Sequence, residues 1–175
     1  MKPPVLVNEA SRLRALADYH ILDTQPEQAF DDLTRLAAQI CGCPIALVTL
    51  VDAKRQWFKS RLGFSESETP REHSFCAHAI ADPINLLVVP DASVDQRFAD
   101  NPYVTERDGI RFYAGAPLLS SQADALGTLC VLDRAPKKLT EEQLGALRIL
   151  GRQVSYLLEL RRISRALAAA LDNGR

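Results

Sequence analysis

Two pairs of apolar segments, each joined by a short polar turn, constrain the fold of this 175-residue chain most strongly. In the first pair, residues 44–51 lead through a turn at residues 52–55 into residues 56–59. In the second pair, residues 111–118 and 126–132 flank the turn SSQADA. Strands that are joined by short turns pair in antiparallel orientation. The pattern therefore predicts a mostly antiparallel sheet that contains both hairpins.

Apolar residues at the three- and four-residue spacing of a helix surround these strands. The spacing predicts a first helix that starts near Asn8 or Ser11, a second helix from about residue 26 to Gly42, and a short helix capped by Ser74. Residues 86–89 indicate a further strand, and the polar residues 61–73 indicate a loop. This order predicts one α+β domain over residues 1–175, with a central sheet of about five or six strands.

The longest helical pattern covers residues 140–171, where Thr140 and Gln143 make a capping-box pair at the start. Its apolar stripe is nearly heptad, and it is wide enough for one side to cover the sheet and another to meet a second subunit. We therefore predict a homodimer through the first and last helices; the alternative is a last helix that only covers its own sheet. The predicted interface comprises Leu13, Leu16, Leu147, Leu150, Val154, Leu157, Leu160 and Ile163.

Charge balance and hydropathy exclude several classes of function. The 21 basic and 22 acidic residues give a formal net charge of -1, and no basic run stands out that would attract nucleic acid or an anionic membrane. No segment approaches the roughly 18 consecutive apolar residues of a membrane span, and the start of the chain lacks the apolar core of a signal peptide. We expect a cytoplasmic protein that binds neither nucleic acid nor a membrane.

Chemically reactive motifs are sparse. The sequence has no GxSxG, P-loop, HExxH or GxGxxG motif, so we predict no catalytic residue. The cysteines at positions 41, 43, 76 and 130 are expected to be free thiols in a reducing compartment. His73, Cys76 and His78 lie within six residues, but positions 76 and 78 of a helix point roughly 200° apart, so we predict no metal site.

A long polar connection over residues 92–110 marks the candidate site. A connection of this length is unusual in a compact domain unless it has a function. The pattern predicts at most one turn of helix in it, at residues 95–99. The start of the short helix at Ser74 would present free backbone N–H groups toward this region, which suits an anionic ligand. Ser74 could equally be a plain N-cap whose hydroxyl is used internally.

Six segments, taken together and in order, resemble one family. They are YHILDTQPEQAFDDLTRLAAQIC, PIALVTLVDAKRQWFKS, SFCAHAI, VVPDASVDQRFADNP, IRFYAGAPL and LGTLCVLD. They resemble bacterial GAF domains, in particular those that precede histidine kinase or diguanylate cyclase modules. The resemblance extends from about residue 9 to about residue 162, and the joint occurrence of the segments makes it specific.

The resemblance implies a GAF/PAS-like architecture, in which the first and last helices pack on one face of the sheet and a pocket lies on the other. That pocket maps onto residues 74–77, 91–101 and 111–115. The candidate ligand-binding residues are Trp57, Ser74, Phe75, Cys76, Asp91, Asp95, Phe98, Arg111 and Tyr113. Trp57 could instead cover the sheet edge beneath a helix, and Arg111 could be an edge-strand charge.

Two ligand classes of the family lack their motifs here. The Asn-Lys pair and the Phe-x-x-x-Asp-Glu pattern of cyclic-nucleotide-binding members are absent, and Cys76-Ala77-His78 stands where bilin-binding members have a Cys-His dipeptide. We therefore assign no cofactor.

The resemblance implies a non-enzymatic sensor or regulatory domain. Such a domain would bind an unidentified small molecule or partner and transmit its state through the dimeric last helix to a histidine kinase or diguanylate cyclase output module. Two alternatives stay open. One is a thiol-dependent enzyme similar to free methionine sulfoxide reductase that uses Cys76, and the other is a ligand-free dimerisation scaffold.

Overall fold

A six-stranded sheet forms the centre of the computed structural model, which describes residues 1–173. The strands are β1 (Ile45–Val51), β2 (Arg55–Leu62), β3 (Glu68–Pro70), β4 (Leu87–Val89), β5 (Phe112–Leu119) and β6 (Ala125–Asp133). Their order across the sheet is β3-β2-β1-β6-β5-β4, and every neighbouring pair is antiparallel. The predicted α+β fold and both predicted hairpins, β1–β2 and β5–β6, are confirmed.

The helices are α1 (Glu9–Asp18), α2 (Gln28–Cys41), α3 (Phe75–Ala79), α4 (Pro102–Thr105) and α5 (Glu141–Asn173), and a 3-10 turn covers Arg71–His73. Caps mark the end of α2 and the starts of α3, α4 and α5. Gly42 ends α2 with a left-handed backbone at φ +59°, a conformation that glycine adopts without steric cost. At the start of α5, Thr140 N–H donates to Gln143 Oε1 at 2.9 Å and Gln143 N–H donates to Thr140 Oγ1 at 3.2 Å. The predicted capping box is therefore present.

Two short elements differ from the sequence prediction. The predicted loop over residues 61–73 contains β3, which pairs with β2, and the 3-10 turn. The connection over residues 92–110 has the predicted helical turn, in which Ala99 N–H donates to Asp95 O at 2.8 Å, and it also contains α4. The Asn101 side chain caps α4 by accepting from Tyr103 N–H at 3.0 Å. Neither β3, with three residues, nor α4, with four, has an apolar period that would distinguish it from a loop.

The sheet is buried on both faces. Val48 and Leu50 of β1 pack toward α2 and α5, whereas Ile45 and Leu47 pack toward α3 and the connection over residues 92–110. A strand that is buried on both faces needs apolar residues at nearly every position, which explains the continuous apolar run of β1. The helical face forms the larger core, and the opposite face carries the candidate site.

Three helices share the first of these faces. α2 packs against both α5 and the sheet, and α1 lies against β6. Tyr19, directly after α1, donates its hydroxyl hydrogen to Glu159 Oε2 of α5 at 2.7 Å. Leu16 of α1 lies in the same hydrophobic cluster as Leu147 and Val154 of α5. The first and last helices are therefore on one face, as expected, with α2 filling much of the space beside them.

Helix α5 packs one side of its first half on the core, and its second half is mostly exposed. Its residues Leu147, Leu150, Val154 and Leu158 are buried, whereas Leu160, Ile163, Leu167 and Leu171 are exposed. No helix within residues 1–173 is both long and apolar enough to cross a membrane.

The residues of the predicted dimer interface likewise differ in how far they are buried. Leu16, Leu147, Leu150 and Val154 are buried in the core of their own chain, so they have almost no surface left for a second subunit. Leu13 and Leu157 are half-buried, and Leu160 and Ile163 are exposed. The apolar stripe predicted for α5 combines residues that face the core with residues that face outward. Both groups are apolar at helical spacing, so the sequence pattern does not separate them.

Candidate functional site

The candidate site lies on the sheet face opposite the long helices, beneath α3 and the connection over residues 92–110. Its centre is a cavity of about 30 Å³, with room for one or two water molecules. The cavity is lined by Leu47, Gln56, Phe58, Phe64, Thr69, His73, Ser74, Phe75, Cys76, Tyr103, Ile110, Tyr113, Cys130 and Leu132.

Aromatic rings fill most of the space that a ligand would occupy. Phe75 stacks on Phe98 with ring centroids 4.1 Å apart, and on Tyr113 with centroids 5.2 Å apart. On the other side of the cavity, Phe58 and Phe64 meet edge to face at 5.6 Å. Buried rings in contact stabilise one another beyond the area that they bury. The pocket in this conformation is a small cavity within a packed core.

Ser74 fixes the start of α3 with its own side chain. Its hydroxyl oxygen accepts from Ala77 N–H at 2.9 Å, and its hydroxyl hydrogen is donated to Gln56 Oε1 of β2. Because both contacts are internal, Ser74 serves as an N-cap that ties α3 to the sheet. This is the alternative that the sequence left open for Ser74.

Two cysteines from distant parts of the chain meet beside the cavity. Cys76 of α3 and Cys130 of β6 are both buried, with their sulfur atoms 3.7 Å apart. The Tyr113 hydroxyl of β5 donates to Cys76 Sγ at 3.3 Å. The Tyr113 ring lies over Gly115, where a Cβ atom would collide with the ring. Gly115 therefore gives Tyr113 the space to reach the cysteine pair.

The two thiols differ in acidity. Burial by itself would raise the pKa of Cys76, but hydrogen bonds from neighbouring side chains outweigh it and lower the pKa. The donors are Cys130, Thr128, Thr49 and Tyr113. Burial, followed by the interaction with Cys76, raises the pKa of Cys130 well above its ordinary value. Cys76 is therefore the first of the pair to ionise, and Cys130 stays a thiol.

The structure brings only part of the predicted ligand-binding set to this cavity. Ser74, Phe75, Cys76 and Tyr113 line it, and Phe98 packs behind Phe75. Trp57 lies on the opposite face of the sheet, in the hydrophobic cluster beneath the long helices. Trp57 therefore packs beneath the helices instead of facing the cavity.

The three charged residues predicted for the site make contacts within their own loops. Asp91 accepts from the Ser93 hydroxyl at 2.6 Å, and Asp95 pairs with Arg97 at 2.6 Å. Arg111 Nη1 donates to Val104 O at 2.7 Å. None of Asp91, Asp95 and Arg111 belongs to the cavity lining. Asp91 and Asp95 thus stabilise turns within the connection, and Arg111 ties the start of β5 to α4.

The side chains that were considered for metal binding point apart. Cys76 faces the cavity, whereas the His78 ring meets Phe98 edge to face at 4.8 Å, and its Nε2 lies 3.3 Å from Met1 O. His73 lies at the cavity rim near Tyr103. Within residues 1–173, no group of three or more His, Cys, Asp or Glu side chains is placed to hold a metal ion.

Several lining residues were not recognised in the sequence, chiefly Gln56, Tyr103 and Cys130. Tyr103 lies in α4, a helix too short to predict, and its hydroxyl donates to Glu66 at 3.0 Å. Cys130 lies opposite both Leu47 and Gly115 in the sheet, on the face of β6 away from the long helices. The alternation of β6 puts Cys130 on the face opposite Leu129 and Val131, a signal that could have located it.

Comparison with known proteins agrees with this architecture. The family model of the GAF domain matches residues 25–158. A cyclic di-GMP phosphodiesterase of Pseudomonas aeruginosa is 39% identical over 153 residues, covering 87% of this chain and 26% of the relative. The chain thus spans about a quarter of the length of that curated relative.

Two solved structures share the fold. A domain of a two-component sensor histidine kinase protein from Sinorhizobium meliloti matches with a TM-score of 0.63 and 17% identity, covering 81% of this chain and 97% of that one. The GAF domain of a phosphoenolpyruvate-protein phosphotransferase from Acinetobacter matches with a TM-score of 0.63 and 17% identity, covering 89% of this chain and 95% of that one. With a family model that covers most of its length and a matching fold, this chain belongs to the GAF domain family.

Proposed function

We propose that this chain is a non-enzymatic regulatory domain, and that its output is a parallel dimer of helix α5 that controls a catalytic signalling module. The observation that carries the proposal is a second apolar stripe on α5, separate from the stripe that packs on the sheet. The stripe comprises Ile149, Gln153, Tyr156, Leu160, Ile163 and Leu167, and is called the α5 stripe below. Its five large apolar side chains are each between 50% and 65% exposed.

The spacing of the α5 stripe is that of a two-helix seam. Its residues follow one another at steps of four, three, four, three and four, which is the alternation of a coiled coil. At about 100° per residue, they form a band roughly opposite the buried residues Leu147, Val154 and Leu158. A second copy of the same helix would cover this band, whereas the sheet of the same chain cannot reach it.

The polar residue in the α5 stripe favours the parallel orientation. In a parallel homodimer each position meets itself, so the two Gln153 amides face and can hydrogen-bond one another. An antiparallel pair centred on Leu160 would place Gln153 opposite Leu167 and leave a buried amide without a partner. An unpaired buried amide costs about 1–3 kcal/mol, which disfavours that antiparallel register.

Strand β5 offers a physical route from the cavity to α5. On one face it carries Tyr113, which lines the cavity, and on the other Ala116, which touches Gly151 of α5 so closely that a Cβ on Gly151 would lie 2.9 Å from Ala116 Cβ. Leu119 N–H at the end of β5 donates to Ser155 Oγ of α5 at 3.1 Å. A displacement of β5 would therefore move α5. An effector that binds one position of β5 more tightly than the other would then shift α5 between two arrangements.

The volume of the cavity favours regulation over catalysis. A methionine sulfoxide molecule is far larger than the one or two water molecules that about 30 Å³ can hold. A reductase site in this conformation would first have to displace Phe75 and Tyr113, which stack at 5.2 Å. The same packing means that a small-molecule effector would have to open the cavity. The α5 stripe, and not the cavity, therefore supports the proposed function. A domain that dimerises through α5 without binding any ligand would fit it equally well.

The output module is proposed from the relatives. One is named a cyclic di-GMP phosphodiesterase, of which the similar region is 26%, and another is a domain of a two-component sensor histidine kinase protein. A parallel α5 pair would present two C-terminal ends side by side, the arrangement that two catalytic modules need to act as a dimer. We therefore assign α5 as the connection to a module of the cyclic di-GMP or histidine kinase class.

Cysteine crosslinking tests the parallel dimer. In Ile163→Cys the two introduced thiols would face one another, so mild oxidation should give a covalent dimer on a non-reducing gel. Arg165→Cys is the matched control, since residue 165 lies on the opposite side of the exposed half of α5. Equal crosslinking of both variants, or none at residue 163, would contradict the parallel arrangement.

A further inference from the structure

We infer that Cys76 and Cys130 form an oxidation site, in which hydrogen peroxide converts the two buried thiols into an intramolecular disulfide. Oxidation at this site does not require the α5 dimer. It starts from the distance of 3.7 Å between the two sulfur atoms, which belong to different elements and lie 54 positions apart in the sequence.

The pair is close enough to bond without rearrangement of the fold. A disulfide bond is about 2.05 Å long, so the sulfur atoms must approach one another by about 1.7 Å. Both sulfur atoms lie on the same side of the sheet, with Cys76 extending from α3 and Cys130 from β6. Rotation about the Cα–Cβ bonds, with a small shift of the five-residue helix α3, can supply this approach.

The surroundings of Cys76 favour its thiolate form. The Tyr113 hydroxyl donates to Cys76 Sγ at 3.3 Å, and the hydroxyl oxygens of Thr49 and Thr128 lie 3.2 Å apart in the sheet next to it. Hydrogen bonds from these groups lower the pKa of Cys76, whereas burial raises the pKa of Cys130. One sulfur of the pair can therefore act as the nucleophile while the other keeps its proton.

The cavity gives a small oxidant access to the pair. Cys76 and Cys130 both line the space of about 30 Å³, and its half-exposed rim is formed by Phe64, His73 and Tyr103. Hydrogen peroxide consists of two bonded oxygen atoms and fits a space for one or two water molecules. A bulky disulfide such as oxidised glutathione does not fit. The site should thus select its oxidant by size.

The chemistry balances with hydrogen peroxide as the only co-reactant. The Cys76 thiolate attacks one peroxide oxygen, the O–O bond breaks, and the leaving hydroxide takes the proton that Cys76 released, giving a sulfenic acid and water. The Cys130 sulfur then attacks the sulfenic sulfur, forming the S–S bond, and the departing hydroxide combines with the Cys130 proton as a second water. Two thiols are oxidised, and one peroxide is reduced to two water molecules.

The other two cysteines serve as an internal control. Cys41 and Cys43 are also buried, but burial raises the pKa of Cys41, and raises the pKa of Cys43 to about 11. Cys43 Sγ donates to Cys41 O at 3.6 Å, so its hydrogen bond goes to the backbone. Neither thiol lines the cavity of the candidate site. Both should stay reduced while the folded protein reacts at Cys76 and Cys130.

The test is treatment of the folded protein with hydrogen peroxide, followed by unfolding, alkylation of the remaining thiols and intact-mass analysis. The expected product has two alkylated cysteines instead of four and a crosslinked peptide that joins Cys76 to Cys130. Cys130→Ala should stop at a sulfenic acid on Cys76, which dimedone traps when it is present during unfolding, whereas Cys41→Ala should give the wild-type crosslink. Oxidised glutathione should leave all four thiols of the folded wild type free.

Three results would overturn the inference. They are four free thiols after peroxide treatment of the folded wild type, a crosslink that involves Cys41 or Cys43, and equal oxidation by hydrogen peroxide and oxidised glutathione. The crosslinked peptide is mapped in the wild-type protein, so this result does not depend on whether Cys130→Ala folds. A confirmed disulfide, which links positions far apart in the chain, should also raise the melting temperature by about 5–10 °C.

Discussion

Glu9 illustrates how a single side chain contributes to the stability of this domain. Its carboxylate accepts from Arg12 Nη2 at 2.7 Å and from Arg71 Nη1 at 2.6 Å. The Arg12 side chain is fully buried, so its charge needs a partner inside the protein. Burial alone would raise the pKa of Glu9, but the hydrogen bonds from Arg12 and Arg71 outweigh it and lower the pKa to about 2.

Acid should therefore remove the contribution of Glu9. A carboxylate with a lowered pKa in the folded state stabilises the fold above its ordinary pKa of 4.5, and this stabilisation is lost as the pH falls toward 2. Glu9→Gln should lower the free energy of unfolding at pH 7 by about 2 kcal/mol, with the deficit shrinking toward pH 2. Urea denaturation at several pH values measures this.

Glu106→Gln is the matched control, since Glu106 is exposed and should change the unfolding free energy little at any pH. A deficit of Glu9→Gln that stays constant from pH 7 to pH 2 would contradict the assigned ion pairs.

The sequence predicts individual caps better than it predicts which face of the sheet a residue occupies. Ser74 and the Thr140–Gln143 pair are local signals, because the partners lie within a few residues. Trp57 and Phe58 must face opposite sides of β2, but only long-range packing determines which side carries the pocket. The meeting of Cys76 and Cys130 likewise depends on how α3 lies over the sheet.

At the scale of the element, α5 contains two glycines in different surroundings. A Cβ atom on Gly151 would lie 2.9 Å from Ala116 Cβ, which is closer than real side chains approach. A Cβ atom on Gly145 would meet nothing within 4 Å. Gly151 therefore permits the close contact of α5 with β5, whereas Gly145 only lowers the helix propensity of α5.

Alanine substitutions at these glycines should have opposite effects. Gly145→Ala should raise the free energy of unfolding by up to about 1 kcal/mol, because alanine favours the helix. Gly151→Ala should lower it by about 1–2 kcal/mol, because the added methyl group forces α5 away from Ala116. Chemical denaturation of both variants beside the wild type provides the measurement. A gain of similar size in both would mean that α5 and β5 are not in close contact.

Long elements were predictable from the sequence; among the short ones, α3 and β4 were predicted, whereas β3 and α4 were not. α2 and α5 have enough turns to show an apolar period, and the paired strands have clear turns between them. β3 has three residues and is held by its pairing with β2, with Thr69 opposite Gln56. α4 depends on the Asn101 cap and on the burial of its residue Val104 in the hydrophobic cluster that also contains α3. The pairing of β3 and the packing of Val104 arise only once the domain has folded, whereas the Asn101 cap is a local contact.

At the scale of the whole molecule, the two faces of the sheet have separate roles. One face packs α1, α2 and α5 and leaves the α5 stripe uncovered, while the other encloses a small cavity with a cysteine pair. The resemblance predicted a pocket there, but only the structure shows that aromatic side chains nearly fill it. The helical output is therefore the central feature of the proposed function.

Molar mass in solution tests this central claim most directly. Sedimentation equilibrium should give twice the chain mass for the wild type and for Val94→Glu, a control that adds a charge at an exposed apolar residue away from α5. The double variant Leu160→Glu/Ile163→Glu should be a folded monomer, because four carboxylates would meet in the seam of the dimer. A monomeric wild type, or a double variant that keeps the dimer mass, would contradict the account.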